Sequence, residues 1–381
     1  MGTAYIIEAV RSPLARVSKG RSALSDLRPD QLAARMLQAV LERSGVDPAL
    51  VDDVVMGCVT QVGEQGLNVG RNAALVAGFP VSVTGTSVNR MCGSSQQALN
   101  FAAMGCASGF QELVIAGGVE CMSRVPMGSD MFLNGEMVAP APEMTWKYSI
   151  VPQGISAELV AQRYGLTRQD LDAFSAESHR RAAAAQDAGA FQKEIVAVGG
   201  VGADDGIRRG GTAADLGRLK PAFKEDGVIT AASSSQITDG AAAVLVASEA
   251  AVKKYGLRPR AKIVAMATAG CDPTIMLTAP VPATQKALAQ AGLTIGDIDA
   301  VEINEAFASV ALGCGRHLGL DFEKTNINGG AIALGHPLGA SGARLTATLL
   351  GILEARGGRF GLSTMCIGFG QGITTILDRE V

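Results

Sequence analysis

Apolar residues along this chain follow two alternating periods. Short, nearly unbroken apolar runs at Ala4–Glu8, Val51–Gly57, Leu113–Ala116 and Ala300–Ile303 read as strands buried on both faces. Gln31–Ser44 carries apolar residues at helical spacing and stops before Gly45. Gln96–Ala107 is an Ala-rich helix closed by Gly109. Strand and helix in alternation predict a largely parallel sheet covered by helices. Towards the C-terminus the same rhythm predicts a helix starting near Ser341 and a strand from Gly361. Ser156–Tyr164 and Thr167–Ala188 read as amphipathic helices, the second opened by a Thr167-x-x-Asp170 capping pair.

The two stretches of alternation are related. Leu41-x3-Gly45 and Val51-Asp52-x-Val54 correspond to Leu288-x3-Gly292 and Ile298-Asp299-x-Val301, and 288 − 41, 292 − 45, 299 − 52 and 301 − 54 all give 247. The same shift lays the start of the helix after Cys92 over Gly339-Ala340-Ser341 and Val119 over Cys366. A duplicated α/β unit places such loops at equivalent ends of two packed halves, facing each other. Between the halves, Val125 to Pro152 is rich in Met and Pro and reads as a loop excursion, and Gly199–Gly211 reads as irregular. Residues 119–238 are therefore expected to be an insertion carrying substrate contacts.

Composition narrows the function. Hydrophobic residues make up 48% and charged residues 18%, which supports a large core and excludes a disordered chain. The 47 glycines favour tight turns and close packing, and a net charge of −3 with interspersed signs argues against nucleic acid or a polybasic membrane anchor as partner. No apolar run reaches the ~18–20 residues that span a bilayer, and the N-terminus lacks a secretory pattern, so a cytoplasmic protein is expected. The seven cysteines are odd in number with no Cys-x-x-Cys pair, which reads as reduced thiols. None of the three histidines stands at zinc-motif spacing, so no metal site is expected.

Chemistry concentrates in four short segments. Cys92, in Asn89-Arg90-Met91-Cys92-Gly93-Ser94, directly precedes a predicted helix, where the dipole and free N–H groups should lower its pKa. His336 lies in Gly335-His336-Pro337-Leu338-Gly339-Ala340-Ser341-Gly342, and the repeat aims that loop at Cys92, giving a thiol–imidazole pair. Cys366, in Cys366-Ile367-Gly368-Phe369-Gly370, is a second thiol able to shuttle a proton. A dinucleotide loop is excluded there because the chain ends at Val381. Asn304-Glu305-Ala306-Phe307 follows a strand, where α/β proteins place site residues; a helix N-cap is the other reading.

Together these segments resemble the thiolase family, in order and spacing over essentially the whole chain. The resemblance implies an α/β fold of duplicated halves forming a layered αβαβα core with an inserted loop domain. Residues 1–118 and 239–258 would form the N-terminal half, 119–238 the insertion, and 259–381 the C-terminal half. It further implies an acyltransferase that cleaves 3-oxoacyl-CoA with CoA, as in fatty-acid β-oxidation, through an acyl-Cys92 intermediate. His336 would activate Cys92, Cys366 would act as acid and base, and Asn304 would fix a water in a first oxyanion hole. The N–H groups of Cys92 and Gly368 would form a second. Ser235, Arg208, Phe223, Met276 and Phe307 would contact coenzyme A, which is a substrate rather than a resident cofactor.

The resemblance also implies a homodimer or homotetramer, with Met127–Ile150 a candidate subunit contact. Val151-Pro152-Gln153-Gly154, Phe369, Leu277 and Ala279 depart from the pattern of acetoacetyl-CoA-forming members, which favours a degradative enzyme for medium or bulky acyl chains. A biosynthetic acetoacetyl-CoA-forming thiolase and a non-catalytic acyl-CoA-binding relative are the alternatives. A ketosynthase on the same scaffold usually lacks the second cysteine, so Cys366 argues against it.

Overall fold

The computed structural model describes residues 2–381. Its first half contributes strands β1 (Ala4–Arg11), β2 (Asp53–Gly57), β3 (Thr84–Val88), β4 (Leu113–Cys121) and β5 (Thr238–Ser248). The second contributes β6 (Ala261–Gly270), β7 (Ala300–Ile303), β8 (Phe360–Ile367) and β9 (Gln371–Asp378). Their order across the sheet is β7-β8-β9-β6-β1-β5-β4-β2-β3. The pairs β2·β3, β2·β4 and β7·β8 are parallel and the rest antiparallel. The halves mirror each other about β1 and β6, which meet only at Tyr5–Lys262 and Ile6–Ala261.

The helices sort into layers because the central strands, such as β4 and β5, bury both faces. Helix α1 (Pro29–Ser44) starts on a proline with Asp30 in its first turn and ends on Gly45 at φ 69°. Its Leu32, Met36, Leu37 and Val40 pack on Leu113 and Ile115 of β4 and on Leu245 of β5. The alternate residues Val114, Ala116, Val244 and Val246 face the other way. There they meet α3 (Ser94–Ser108) through Ala98, Leu99 and Ala102, and α8 (Ser341–Arg356) through Ala343, Ala347 and Leu350. In chain order α2 (Val69–Val76) precedes α3, and α4 (Gln153–Arg163), α5 (Arg168–Asp187), α6 (Pro280–Ala291) and α7 (Ala308–Leu318) lie between α3 and α8. Helix α6 covers the far face of the second half through Ala287. The result is α–β–α–β–α, with α3 and α8 as the buried middle layer.

The 247-residue offset holds for whole elements. Strands β7 and β2 start at 300 and 53, α8 and α3 at 341 and 94, and β8 and β4 at 360 and 113; each difference is 247. Several boundaries differ from the sequence reading: β1 runs on to Arg11, α1 starts at Pro29, α3 at Ser94 and α4 at Gln153. Strand β4 runs on through Gly117 and Gly118 to Cys121, because those glycines serve contact rather than a turn: a Cβ on Gly118 would lie 2.0 Å from the Gly339 carbonyl oxygen. Cys366 lies inside β8.

The connection from β4 to β5 holds a short hairpin (Phe132–Leu133 with Glu136–Met137), a helix at Pro142–Lys147, α4 and α5. Thr167 caps α5 as expected, exchanging hydrogen bonds with Asp170. A buried ion cluster fastens this connection to the body: Arg11 in β1 donates to both carboxylate oxygens of Asp204, at 2.7 and 2.9 Å, and to Glu194 at 2.6 Å.

Candidate active site

Cys92 stands at the entrance of α3 on a constrained turn. Met91 just before it takes φ 45°, unusual for a residue with a side chain. The turn is tied down: Met91 N–H donates to Asn89 Oδ1 at 2.8 Å and Ser94 Oγ donates to Met91 O at 2.6 Å. Gly93 is packed closely, since a Cβ there would lie 2.5 Å from Ile367 Cδ1 and displace that side chain. Gly368 likewise lies where a Cβ would come within 2.6 Å of Met91 Sδ. These two close approaches bring the end of β8 against the Cys92 turn, and the backbone N–H groups of Cys92 and Gly368 both turn towards the Cys92 sulfur.

The expectation of a lowered Cys92 pKa is corrected by burial. The residue is 4% exposed, and desolvation of the thiolate pushes the thiol up to about 11, against the pull of those two N–H groups. Cys366 is buried too, and its thiol is raised first by burial and then by the neighbouring Cys92. The two sulfurs thus share one electrostatic environment while lining different walls. Cys92 packs among Leu338, Met365 and Ile367, and Cys366 among Ile303, Phe307, Met276 and Ile332.

His336 is held in one tautomer. Its Nδ1 lies 2.6 Å from Ser341 Oγ, which itself donates to Pro337 O at 2.8 Å, so Nδ1–H must donate to Ser341. Nε2 is then the acceptor, taking a hydrogen bond from Asn304 Nδ2 at 3.2 Å. Burial, then the like charge of Arg344, lowers the imidazole pKa to about 3, so it rests neutral. Asn304 is not a helix cap, because α7 starts at Ala308 with Phe307 before it. It is fully buried, and its Oδ1 has no protein partner. Glu305 beside it accepts from Ser178 Oγ, Asn326 Nδ2 and Ile332 N, fastening α5 to this loop.

The other expected contacts fall into two groups. Ser235 N–H donates to Ala306 O at 3.0 Å, and Ser234 bridges to Phe307. The Phe307 ring meets that of Phe223 edge-on at 5.9 Å, and Met276 packs in the cluster that holds Phe307 and Cys366. Phe223 is 41% exposed at the outer end of this row. Arg208 lies in a surface cleft with His179, Leu216, Ser234, Gln236 and Ile332. The cleft reaches the site through Gln236, whose carbonyl accepts from His336 N–H at 3.2 Å. Arg209 is engaged elsewhere, 2.7 Å from Asp187. Gln153, one of the departures noted above, sits by Gly368, its Nε2 3.4 Å from where a Cβ would lie.

Sequence reasoning missed Ser341 as the group that orients His336; its position five residues on, at the start of a helix, was the available signal.

Comparison with known proteins is consistent along the whole chain. Residues 4–250 match the family model described as thiolase, N-terminal domain, and residues 257–379 match thiolase, C-terminal domain. A 3-ketoacyl-CoA thiolase of Erwinia tasmaniensis is 48% identical, covering 100% of both chains. A beta-ketoadipyl-CoA thiolase of Acinetobacter baylyi is 46% identical, again over 100% of both. Among solved structures, human mitochondrial 3-ketoacyl-CoA thiolase in complex with CoA matches with a TM-score of 0.92 and 36% identity, covering 100% of this chain and 98% of that one.

Proposed function

The chain belongs to the thiolase family, an acyltransferase acting on 3-oxoacyl-CoA and CoA, and from that premise we propose that Cys92 is the residue that carries the acyl group. The observation that supports this most is the convergence of the Cys92 and Gly368 N–H groups on one buried sulfur with Cys366 beside it.

In thiolysis the Cys92 sulfur attacks the C3 carbonyl of the 3-oxoacyl-CoA as its proton passes to His336 Nε2. Because thiol and imidazole both rest neutral, transfer accompanies attack rather than preceding it. The oxyanion formed at C3 sits on the N–H groups of Cys92 and Gly368; each such donor is typically worth ~10²–10³ in rate. The C2–C3 bond then breaks, its electron pair moves to C2, and Cys366 gives that carbon a proton. His336, now protonated at Nε2, faces the thioester oxygen of the departing acetyl-CoA, with a water held by Asn304 completing the cradle. The free Asn304 Oδ1 is the acceptor such a water needs. CoA then loses its thiol proton to Cys366 and attacks the acyl-Cys92 thioester, and the proton on His336 returns to Cys92.

Ser235, Met276 and Phe307 would line the pantetheine path, with Phe223 against the adenine and Arg208 at the phosphates. Gln153, Leu277 and Ala279 would shape the acyl end towards medium or bulky chains. A thiolysis screen from the shortest linear 3-oxoacyl-CoA to ring-bearing ones tests this; highest kcat/KM on acetoacetyl-CoA would reverse it.

The unpaired edge β3 and the exposed Leu67 and Val81 support pairing with a second copy, and the exposed Phe132, Met137 and Trp146 of the excursion support a homotetramer. Light scattering reads that mass directly. No helix among the described residues is long and apolar enough to cross a membrane, and a cytoplasmic location is proposed.

A further inference from the structure

The 247-residue offset relates single positions as well as elements. Cys92 corresponds to Gly339 and Cys121 to Gly368, since 339 − 92 and 368 − 121 both give 247. The pair of N–H groups that converges on the Cys92 sulfur therefore has a duplicate, formed by Gly339 and Cys121. The duplicate is filled from within the chain. Gly339 N–H donates to Glu120 Oε2 at 2.9 Å, and Cys121 N–H donates to Gln65 Oε1 at 2.7 Å. Gln65 Nε2 in turn donates to Glu120 Oε1 at 2.8 Å, joining the two acceptors.

Glu120 is fully buried and receives two more donors, Val59 N–H at 3.0 Å on Oε2 and Thr60 N–H at 3.1 Å on Oε1. Burial raises its pKa. All four partners are donors, however, so a proton on the carboxyl would have nothing to point at, and the ionised form is the one this cradle fits.

The carboxylate bridges both catalytic loops. On one side Gly339 lies three residues past His336, in the turn Leu338–Ala340 that leads into α8. On the other, Val59 O accepts from Asn89 Nδ2 at 3.0 Å, and Asn89 Oδ1 holds Met91 N–H beside Cys92. There is little slack: a Cβ on Gly339 would lie 2.6 Å from Val119 O and 2.8 Å from Glu120 Oε2.

We propose that Glu120 is a positioning residue that plugs the duplicate of the oxyanion hole and thereby holds the His336 loop in register with the Cys92 turn. The inference rests on the roles given above to Cys92 and His336. Its action is geometric: the Glu120 carboxylate on the Gly339 N–H, joined to Gln65 on the Cys121 N–H, permanently fills the place where, in the other half, an oxyanion forms only during turnover.

The test is Glu120→Gln, which keeps the volume but sets an NH2 group against N–H donors. With a circular-dichroism spectrum like that of the parent, kcat and the rate of acyl-Cys92 formation should fall together by ~10–100-fold while KM for CoA stays put, as expected of displaced catalytic groups. A merely structural role would lower the melting temperature and leave kcat per folded molecule unchanged, and that result overturns the proposal. Should Glu120→Gln not fold, Gln65→Met removes one donor to Glu120 and the acceptor of Cys121, and the same split is expected and the same null result overturns it. Cys92→Ala separates the levels: turnover surviving in that variant defeats the underlying reading, whereas an inactive Cys92→Ala with parent-like Glu120→Gln defeats this inference alone.

Discussion

Replacing Ser341 with alanine tests how the structure sets the resting state of His336. The hydroxyl accepts from the Nδ1–H of a buried imidazole at 2.6 Å and donates its own O–H to Pro337 O. Without it that N–H is left unpaired in an interior where His336 is 4% exposed. A buried donor without a partner costs ~1–3 kcal/mol. The ring can escape the cost by moving its proton to Nε2, but that is the nitrogen that must accept the Cys92 proton. Either way the competent state is disfavoured by a similar amount. At ~1.36 kcal/mol per tenfold, kcat should fall roughly 5- to 150-fold. KM for CoA should hold, because Ser341 lies on the side of the ring away from Asn304 and the substrate. Initial-rate thiolysis of a 3-oxoacyl-CoA, at fixed CoA and then at fixed acyl-CoA, separates the two constants. An unchanged kcat, or a loss carried wholly by KM, would refute the reasoning about the tautomer.

Cys92→Ala should abolish thiolysis while CoA still binds by calorimetry; turnover above background would move the nucleophile elsewhere. Cys366→Ala should lose exchange of the acetyl-CoA α-protons into deuterated water and keep partial acylation of Cys92, and unchanged exchange would reassign the base. Because burial holds the Cys92 thiol at about 11, alkylation by iodoacetamide should climb roughly tenfold per pH unit from about pH 7 to 10. A plateau below about pH 8 would mean that the thiolate is already formed at rest. Gly118→Ala places a Cβ 2.0 Å from a backbone oxygen, so denaturant titration should show at least ~2–3 kcal/mol lost; parent-like stability would mean that the β4–Gly339 approach is loose.

Much of this architecture is legible in the sequence because duplication repeats the same local chemistry. Leu-x3-Gly and Val/Ile-Asp-x-Val mark equivalent helix ends and strands in both halves, and the offset they give also separates the starts of α3 and α8, although α3 begins at Ser94 rather than at Gln96. Motif order also pointed to Cys92, His336, Asn304 and Cys366. What escaped depends on partners distant in the chain. Gly117 and Gly118 look like a turn, yet their absent side chains admit the Gly339 loop, more than two hundred positions away. The pKa of Cys92 turns on desolvation by Leu338, Met365 and Ile367, and local sequence shows only the helix end that opposes it. Glu120 in an apolar strand looks like a residue turned to solvent. Only the folded chain shows that Val59, Thr60, Gln65 and Gly339 all give it a hydrogen bond.

Acid quenching within the first turnover, followed by peptide mass mapping, asks where the substrate's carbon goes. After a brief pulse of 3-oxoacyl-CoA without free CoA, the shortened acyl mass should sit on the peptide containing Cys92, be released by hydroxylamine as a thioester is, and disappear when CoA is added before the quench. The same mass on the Cys366 peptide, or an unmodified protein that still yields acetyl-CoA, would contradict the account.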